Sequence, residues 1–153
     1  MHVLELKVPP LAFGLLIAVL MWLATWAIPT SGFIFPARAL FSVSVAVAGV
    51  VISGLGVTSF RRAKTTVNPM KPDSSSSLVV SGIYRWTRNP MYLGFLLGLF
   101  GWAIYLSNAL AFLLLPAFIV YMNRFQIEPE EKALAMLFGE QFAAYKSRVR
   151  RWL

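Results

Sequence analysis

Three stretches of this sequence carry no formal charge: 30 residues between Lys7 and Arg38, 22 between Arg38 and Arg61, and 35 between Arg88 and Arg124. A helix needs about 20 apolar residues, rising about 1.5 Å each, to cross a hydrocarbon core of about 30 Å. Runs of that length fit an aqueous core poorly in a chain of 153 residues, of which 58% are apolar and only 13% charged, where soluble domains average about 45–50% and about 25%. The first gap predicts a helix from Leu11 to Ile28, closed by Pro29-Thr30-Ser31-Gly32, and the second a helix from Ala39 to Phe60. One helix over the whole third gap would be about 52 Å long, so the chain is expected to fold back. Ser107-Asn108 supplies the turn chemistry, giving helices Pro90–Leu106 and Ala109–Asn123. A re-entrant hairpin that does not fully cross is the alternative.

The predicted fold is all-α: an integral membrane helical bundle of about four transmembrane helices followed by a C-terminal amphipathic interfacial helix. A single membrane domain, 1–153, would comprise two spans in 1–60, a cytoplasmic loop at 61–88, the helical hairpin at 89–124 and the interfacial helix at 128–153. The first apolar segment reads as a span rather than a cleavable signal peptide, because its 18 residues exceed the usual core of about 7–15 and no small-x-small site follows. Arg61, Arg62, Lys64, Lys71, Arg85 and Arg88 crowd the second connection, and Lys132, Lys146, Arg148, Arg150 and Arg151 the tail. These clusters place both termini in the cytoplasm and Ser107-Asn108 outside. The net charge of +8 is accounted for by this topology and by anionic lipid head groups, without nucleic acid as a partner. Pro72-Asp73 and the four serines that follow read as a solvated loop.

The chain has no cysteine, and its one histidine is His2. That removes thiolate nucleophiles, a Ser-His-Asp triad and multi-histidine or cysteine metal cages, so no metal is expected. Chemistry is left to 6 carboxylates, 14 Lys/Arg, aromatic groups and the backbone.

Two regions hold these groups in suggestive order. In Leu78 to Gly94, Asn89 suits an N-cap and Pro90 the first helical position, marking a helix start that can receive a carboxylate or phosphate. Gly94, Gly98 and Gly101 leave one face of that helix bare, for close helix packing or for a ligand. Beyond the fourth span, Ile127-Glu128-Pro129-Glu130-Glu131 opens a helix with Leu134, Phe138, Phe142, Tyr145, Val149 and Trp152 at steps of three or four. Its acids complement the helix dipole, or grip a zwitterionic ligand beside Arg88.

Taken together, Ser81-Gly82-Ile83-Tyr84, then Arg88-Asn89-Pro90-Met91-Tyr92-Leu93-Gly94, a helical hairpin, Glu130-Glu131, and Phe138-Gly139-x-x-Phe142-x-x-Tyr145 resemble the membrane-embedded isoprenylcysteine carboxyl methyltransferases. Phospholipid methyltransferases share much of this pattern. The resemblance covers Leu78 to Trp152 and implies S-adenosylmethionine as cofactor. Tyr84, Arg88, Asn89, Pro90, Tyr92, Gly94, Glu130, Glu131 and Tyr145 would bind it. Asn89 stands where eukaryotic members have histidine, a variant associated with bacterial relatives, so a bacterial inner-membrane protein is expected, with the cofactor site on the cytoplasmic side where the basic clusters lie. Phe142 stands where tyrosine is usual, and Gln126 where an arginine is usual, with Arg124 two residues earlier.

Methyl transfer from a sulfonium is an in-line displacement that needs positioning and electrostatics rather than a metal or covalent intermediate, so the absences above agree with it. The acceptor implied is amphiphilic or lipid-like. A carboxylate acceptor needs a cationic anchor, for which Arg85 and Arg124 are the candidate catalytic residues, with Arg150 beside them; an amine acceptor needs a base. Two other readings remain: a non-catalytic four-helix membrane protein, and a small transporter, against which stands the lack of a charged residue inside any predicted span.

Overall fold

The computed structural model describes residues 5–29, 32, 36–64 and 76–153. Helix α1 runs Pro10–Ala27, α2 Arg38–Arg62, α3 Pro90–Leu106, α4 Ala109–Tyr121 and α5 Glu128–Arg148, with a short 3-10 turn at Gly82–Arg85. The four expected spans therefore form, with boundaries shifted by only a few residues. Thr30, Ser31, Lys71 and the Pro72–Ser75 part of the serine patch lie outside the described residues, as does His2.

The third gap folds back at Ser107-Asn108 for local reasons. Ser107 adopts the left-handed conformation at φ 49° and ends α3. Asn108 then caps α4, accepting the Leu110 N–H at 2.9 Å through Oδ1, while its Nδ2 donates to the Ile28 carbonyl at 3.1 Å. The turn is thus pinned to the end of α1, and Asn108 is fully buried.

Helix α3 is the hub. On one side Ile17 and Met21 of α1, Tyr92, Leu99 and Ala103 of α3, and Ala111, Leu115, Phe118 and Met122 from α4 onward form one buried core. Trp102 Nε1 donates to the Ala18 carbonyl at 3.0 Å across it. On the other side α2 lies against α3 almost backbone to backbone. A Cβ added at Gly94 would strike Ser53 Oγ and the Gly49 carbonyl, and one at Gly101 would come within 2.8 Å of the Ser42 carbonyl. The bare glycine face is therefore a helix seam of the small-residue kind. The side-chain direction of Gly98 points off it, with nothing within 4 Å of its added Cβ. The outward side of α2, with Leu40, Val50 and Val51 exposed, is a surface for lipid.

Contacts at the helix ends make the four helices antiparallel. Arg38 stacks over the Tyr105 ring at 5.7 Å at one end; at the other, the Leu6 N–H donates to the Phe125 carbonyl at 3.0 Å and Ser77 Oγ to the Ala63 carbonyl at 3.2 Å.

The structure revises the expected C-terminal helix in three respects. No break separates it from α4: residues Met122–Ile127 form a π-turn, a helical stretch with an inserted residue, that carries the backbone straight into α5. The 13 residues of α4 and the 6 of the π-turn rise about 28 Å, enough to cross a bilayer, so Glu128 marks the end of the crossing and α5 lies beyond it. Second, Gly139 at φ 47° and ψ −120° interrupts the helix inside α5. Third, Val149 is extended and α5 stops at Arg148, so Val149 and Trp152 are not part of its apolar stripe. Phe142 and Tyr145 face protein, packing with Val79 and Tyr84 rather than only with lipid. Pro90–Leu106 is the short member of the bundle at 17 residues; α1, α2 and the continuous α4–α5 helix are, among the described residues, the three long and apolar enough to cross a membrane.

Candidate functional site

The site lies where the start of α3, the π-turn, the first turn of α5 and the last residues of the chain converge. Arg88 is its centre. Its backbone N–H donates to the Arg150 carbonyl at 3.0 Å. Its guanidinium donates from Nη2 to Glu131 Oε1 at 2.7 Å, and from Nη1 to the Val149 carbonyl and to the Lys146 carbonyl at 3.2 Å. Its Nε is buried and meets no acceptor among the described residues.

Glu131 gathers three cations. Arg151 grips it with a fork, Nε to Oε1 at 3.1 Å and Nη2 to Oε2 at 2.9 Å, and Lys146 Nζ lies 3.2 Å from Oε2. Such bidentate, charge-assisted bonds are the strong ones. Burial alone would raise the Glu131 carboxyl, but the hydrogen bonds and charges of Arg151 and Arg88 outweigh it and hold it at about 2.

Glu130 has the opposite environment. The Tyr92 hydroxyl and Gln126 Nε2 both donate to its Oε1, and no salt bridge is seen to it among the described residues. Burial lifts it to about 7, against those two hydrogen bonds. Two adjacent carboxylates thus stand far apart in proton affinity, a pattern found at functional sites. The π-turn contributes directly: it buries Gln126 one turn before Glu130 and presents Asn123, whose Oδ1 accepts from Trp152 Nε1 at 3.1 Å and from Arg151 Nη1 at 3.4 Å.

The structure brings together most of the residues singled out from the sequence. Tyr145 donates to the Tyr84 carbonyl at 2.7 Å, Tyr92 joins Glu130, and Arg88 joins Glu131. Pro90 takes the first helical position and is buried against α2, where a Cβ at Gly56 would come within 3.2 Å of its ring. Asn89 sits at the N-cap position but does not cap with its side chain; its Nδ2 donates instead to the Arg151 carbonyl at 2.9 Å. Gly94 is not at the pocket wall, because α2 covers it. Arg85 is exposed on the 3-10 turn. Arg124 stands on the π-turn, half-exposed and paired with Glu128 at 3.4 Å and Glu5 at 3.5 Å. Neither arginine is drawn into the Glu131 cluster.

Several members are not among the site residues expected from the sequence: Thr87, Asn123, Gln126, Lys146, Arg151 and Trp152. Thr87 Oγ1 donates to the Arg151 carbonyl at 3.2 Å and accepts the Asn89 N–H at 3.1 Å. Gln126 carried a signal, four residues before Glu130 on a helix. Arg151 carried none, since its charge already had a sufficient explanation in membrane orientation.

An all-helical membrane bundle with its polar groups gathered at one end defines the class, and similarity defines the family. Residues 37–141, about two-thirds of the chain, match the family model of phospholipid methyltransferases, and the chain belongs to that family. It is similar to the protein-S-isoprenylcysteine O-methyltransferase of Saccharomyces cerevisiae, 32% identical over 132 residues that cover 76% of this chain and 54% of that protein. Protein-S-isoprenylcysteine O-methyltransferase B of Arabidopsis thaliana is 29% identical over 112 residues, 71% of this chain and 55% of that protein. A Haemophilus influenzae protein described as uncharacterized is 48% identical over 63 residues, its full length and 41% of this chain. The chain spans about half the length of the yeast and plant methyltransferases. No solved structure matches it.

Proposed function

We propose that this chain transfers a methyl group from S-adenosylmethionine to an amphiphilic or lipid-like acceptor at the cytoplasmic face of the membrane, by carboxyl O-methylation or by methylation of an amine or thiol. Similarity to isoprenylcysteine O-methyltransferases supports the reaction class. The observation that carries the site is the buried Arg88 Nε without an acceptor. An unpaired buried donor is costly, so it calls for a partner from outside the chain, a ligand oxygen or a water. An anionic oxygen such as the methionine carboxylate of the cofactor fits that demand, and Glu130 beside Tyr92 fits the ammonium or a ribose hydroxyl.

When bound, S-adenosylmethionine supplies an electrophilic methyl on a sulfonium, which needs no metal. The chain's residues then have positioning and electrostatic roles. Arg88 orients the carboxylate, Tyr92 and Gln126 fix Glu130, and Tyr84 with Tyr145 closes the side wall. Glu131 is saturated by its three cations and acts by holding Arg88 rather than by touching ligand.

The test is incubation of purified protein in lipid nanodiscs with methyl-labelled S-adenosylmethionine and lipid extracts. Label recovered in an organic extract supports the reading and identifies the acceptor class. Absence of both label transfer and calorimetric cofactor binding would leave the non-catalytic membrane protein instead.

A further inference from the structure

After Arg148 the chain leaves the helix and returns as an extended strap across the start of α3. Four bonds hold it there: Arg88 Nη1 to the Val149 carbonyl, the Arg88 N–H to the Arg150 carbonyl at 3.0 Å, and Thr87 Oγ1 at 3.2 Å and Asn89 Nδ2 at 2.9 Å to the Arg151 carbonyl. The Arg151 and Trp152 side chains then reach Asn123 on the π-turn. The strap therefore connects every element of the site.

We propose that Arg151 is a positioning residue that acts through Glu131 to keep the Arg88 Nε free for ligand. The reasoning rests on guanidinium geometry. Arg88 binds Glu131 end-on, through Nη2 alone and to Oε1 alone. A lone carboxylate beside an arginine has a better choice, the side-on pairing in which Nε and Nη2 each take one oxygen. That pairing would consume the Nε donor. It does not form here because Arg151 occupies Oε2 at 2.9 Å and shares Oε1 at 3.1 Å, fixing the carboxylate plane. Lys146 adds a second contact to Oε2, but as a point charge it cannot set that plane. Arg151 thus spends its fork on Glu131 so that Arg88 keeps a donor in reserve.

This inference rests on the proposed cofactor reading, and one experiment separates their failures. Full-length protein in nanodiscs, wild type and Arg151→Gln, is titrated with S-adenosylmethionine by calorimetry and assayed for methyl transfer once an acceptor is found. Cofactor affinity is expected to fall at least about tenfold in Arg151→Gln, the factor a charge-assisted hydrogen bond commands. The KM for cofactor should rise while kcat at saturating cofactor is kept, a split that general loosening of the fold would not produce. Arg151→Lys retains the charge without the fork, and should remain several-fold weaker than wild type. Should Arg151→Gln not fold, Arg151→Lys carries the test. Wild-type affinity in either variant overturns the role of Arg151 alone; a wild-type protein that binds no S-adenosylmethionine overturns the cofactor reading, and this inference with it.

Discussion

Glu131 is where a single substitution has the most to say. Replacing it with glutamine leaves Arg88 and Arg151 facing each other in a site where the Arg88 and Glu131 side chains are each only 10% exposed. The expected cost to folding is about 2–4 kcal/mol, because removing one member of a buried ion cluster strands the others. The sign of the pH dependence follows from the depressed carboxyl. Its contribution is complete above the ordinary value of 4.5 and is lost as pH falls from there towards about 2. Melts across that range should show wild type losing stability steadily and Glu131→Gln losing distinctly less. A pair of wild-type and variant curves that run parallel would detach Glu131 from the cluster. At this scale Pro90 was legible for a local reason, a ring shaped for a helix start, whereas Tyr92 and Glu130 stood out only through the family resemblance and their pairing spans 38 residues of sequence. Arg85 and Arg124 are candidate anchors for an acceptor carboxylate, and both stand outside the Glu131 cluster, Arg85 exposed and Arg124 paired with Glu128 and Glu5.

Among the elements, the α2–α3 seam gives an opposed pair of outcomes. Gly94→Ala drives a methyl group into the Gly49 carbonyl and Ser53. The overpacking cost of about 1–3 kcal/mol exceeds the helix-propensity gain of about 0.8–1. Gly98→Ala meets open space and should keep that gain. Thermal melts in detergent without ligand should therefore shift down for Gly94→Ala and slightly up for Gly98→Ala. The spacing of glycines told that some face was bare; it could not tell what covers it, since packing and ligand demand the same absence of a side chain. Asn108→Ala should cost about 1–3 kcal/mol, since it removes a helix cap and the tie to Ile28 from a fully buried position. The π-turn was not foreseen from the sequence. Contacts to it come from Leu6, Trp152 and Arg151, all remote in sequence, although Pro129, which has no N–H for the Phe125 carbonyl, leaves that carbonyl free for Leu6.

For the whole molecule, the antiparallel order puts the site, Leu6 and the C-terminal strap at one end of the bundle and the Ser107-Asn108 turn at the other. The absence of cysteine makes single-cysteine reporters clean. Ala109→Cys and Ser147→Cys, both at exposed positions, should react with a membrane-impermeant maleimide from opposite faces of intact cells or oriented vesicles, Ser147→Cys from the cytoplasmic one. Labelling of both from the same face would rule out a full crossing by α3 and α4 and favour the re-entrant hairpin. Helix number, length and order were readable because a bilayer imposes one rule, that charge stays out for about 20 residues. What gathers at the helix ends obeys no such rule, and the strap over α3 emerged only in three dimensions.

The Leu6 N–H, which lies outside every helix and donates to the Phe125 carbonyl on the π-turn, turns one amide into an isotope-exchange reporter. Backbone amides in ordinary irregular segments trade their hydrogen for deuterium quickly, whereas this one should be slow for as long as the π-turn holds its shape. Gln126 follows Phe125 directly and is bonded to Glu130, so a ligand that engages Glu130 should change the deuterium uptake of a peptide containing Leu6, without touching that peptide itself.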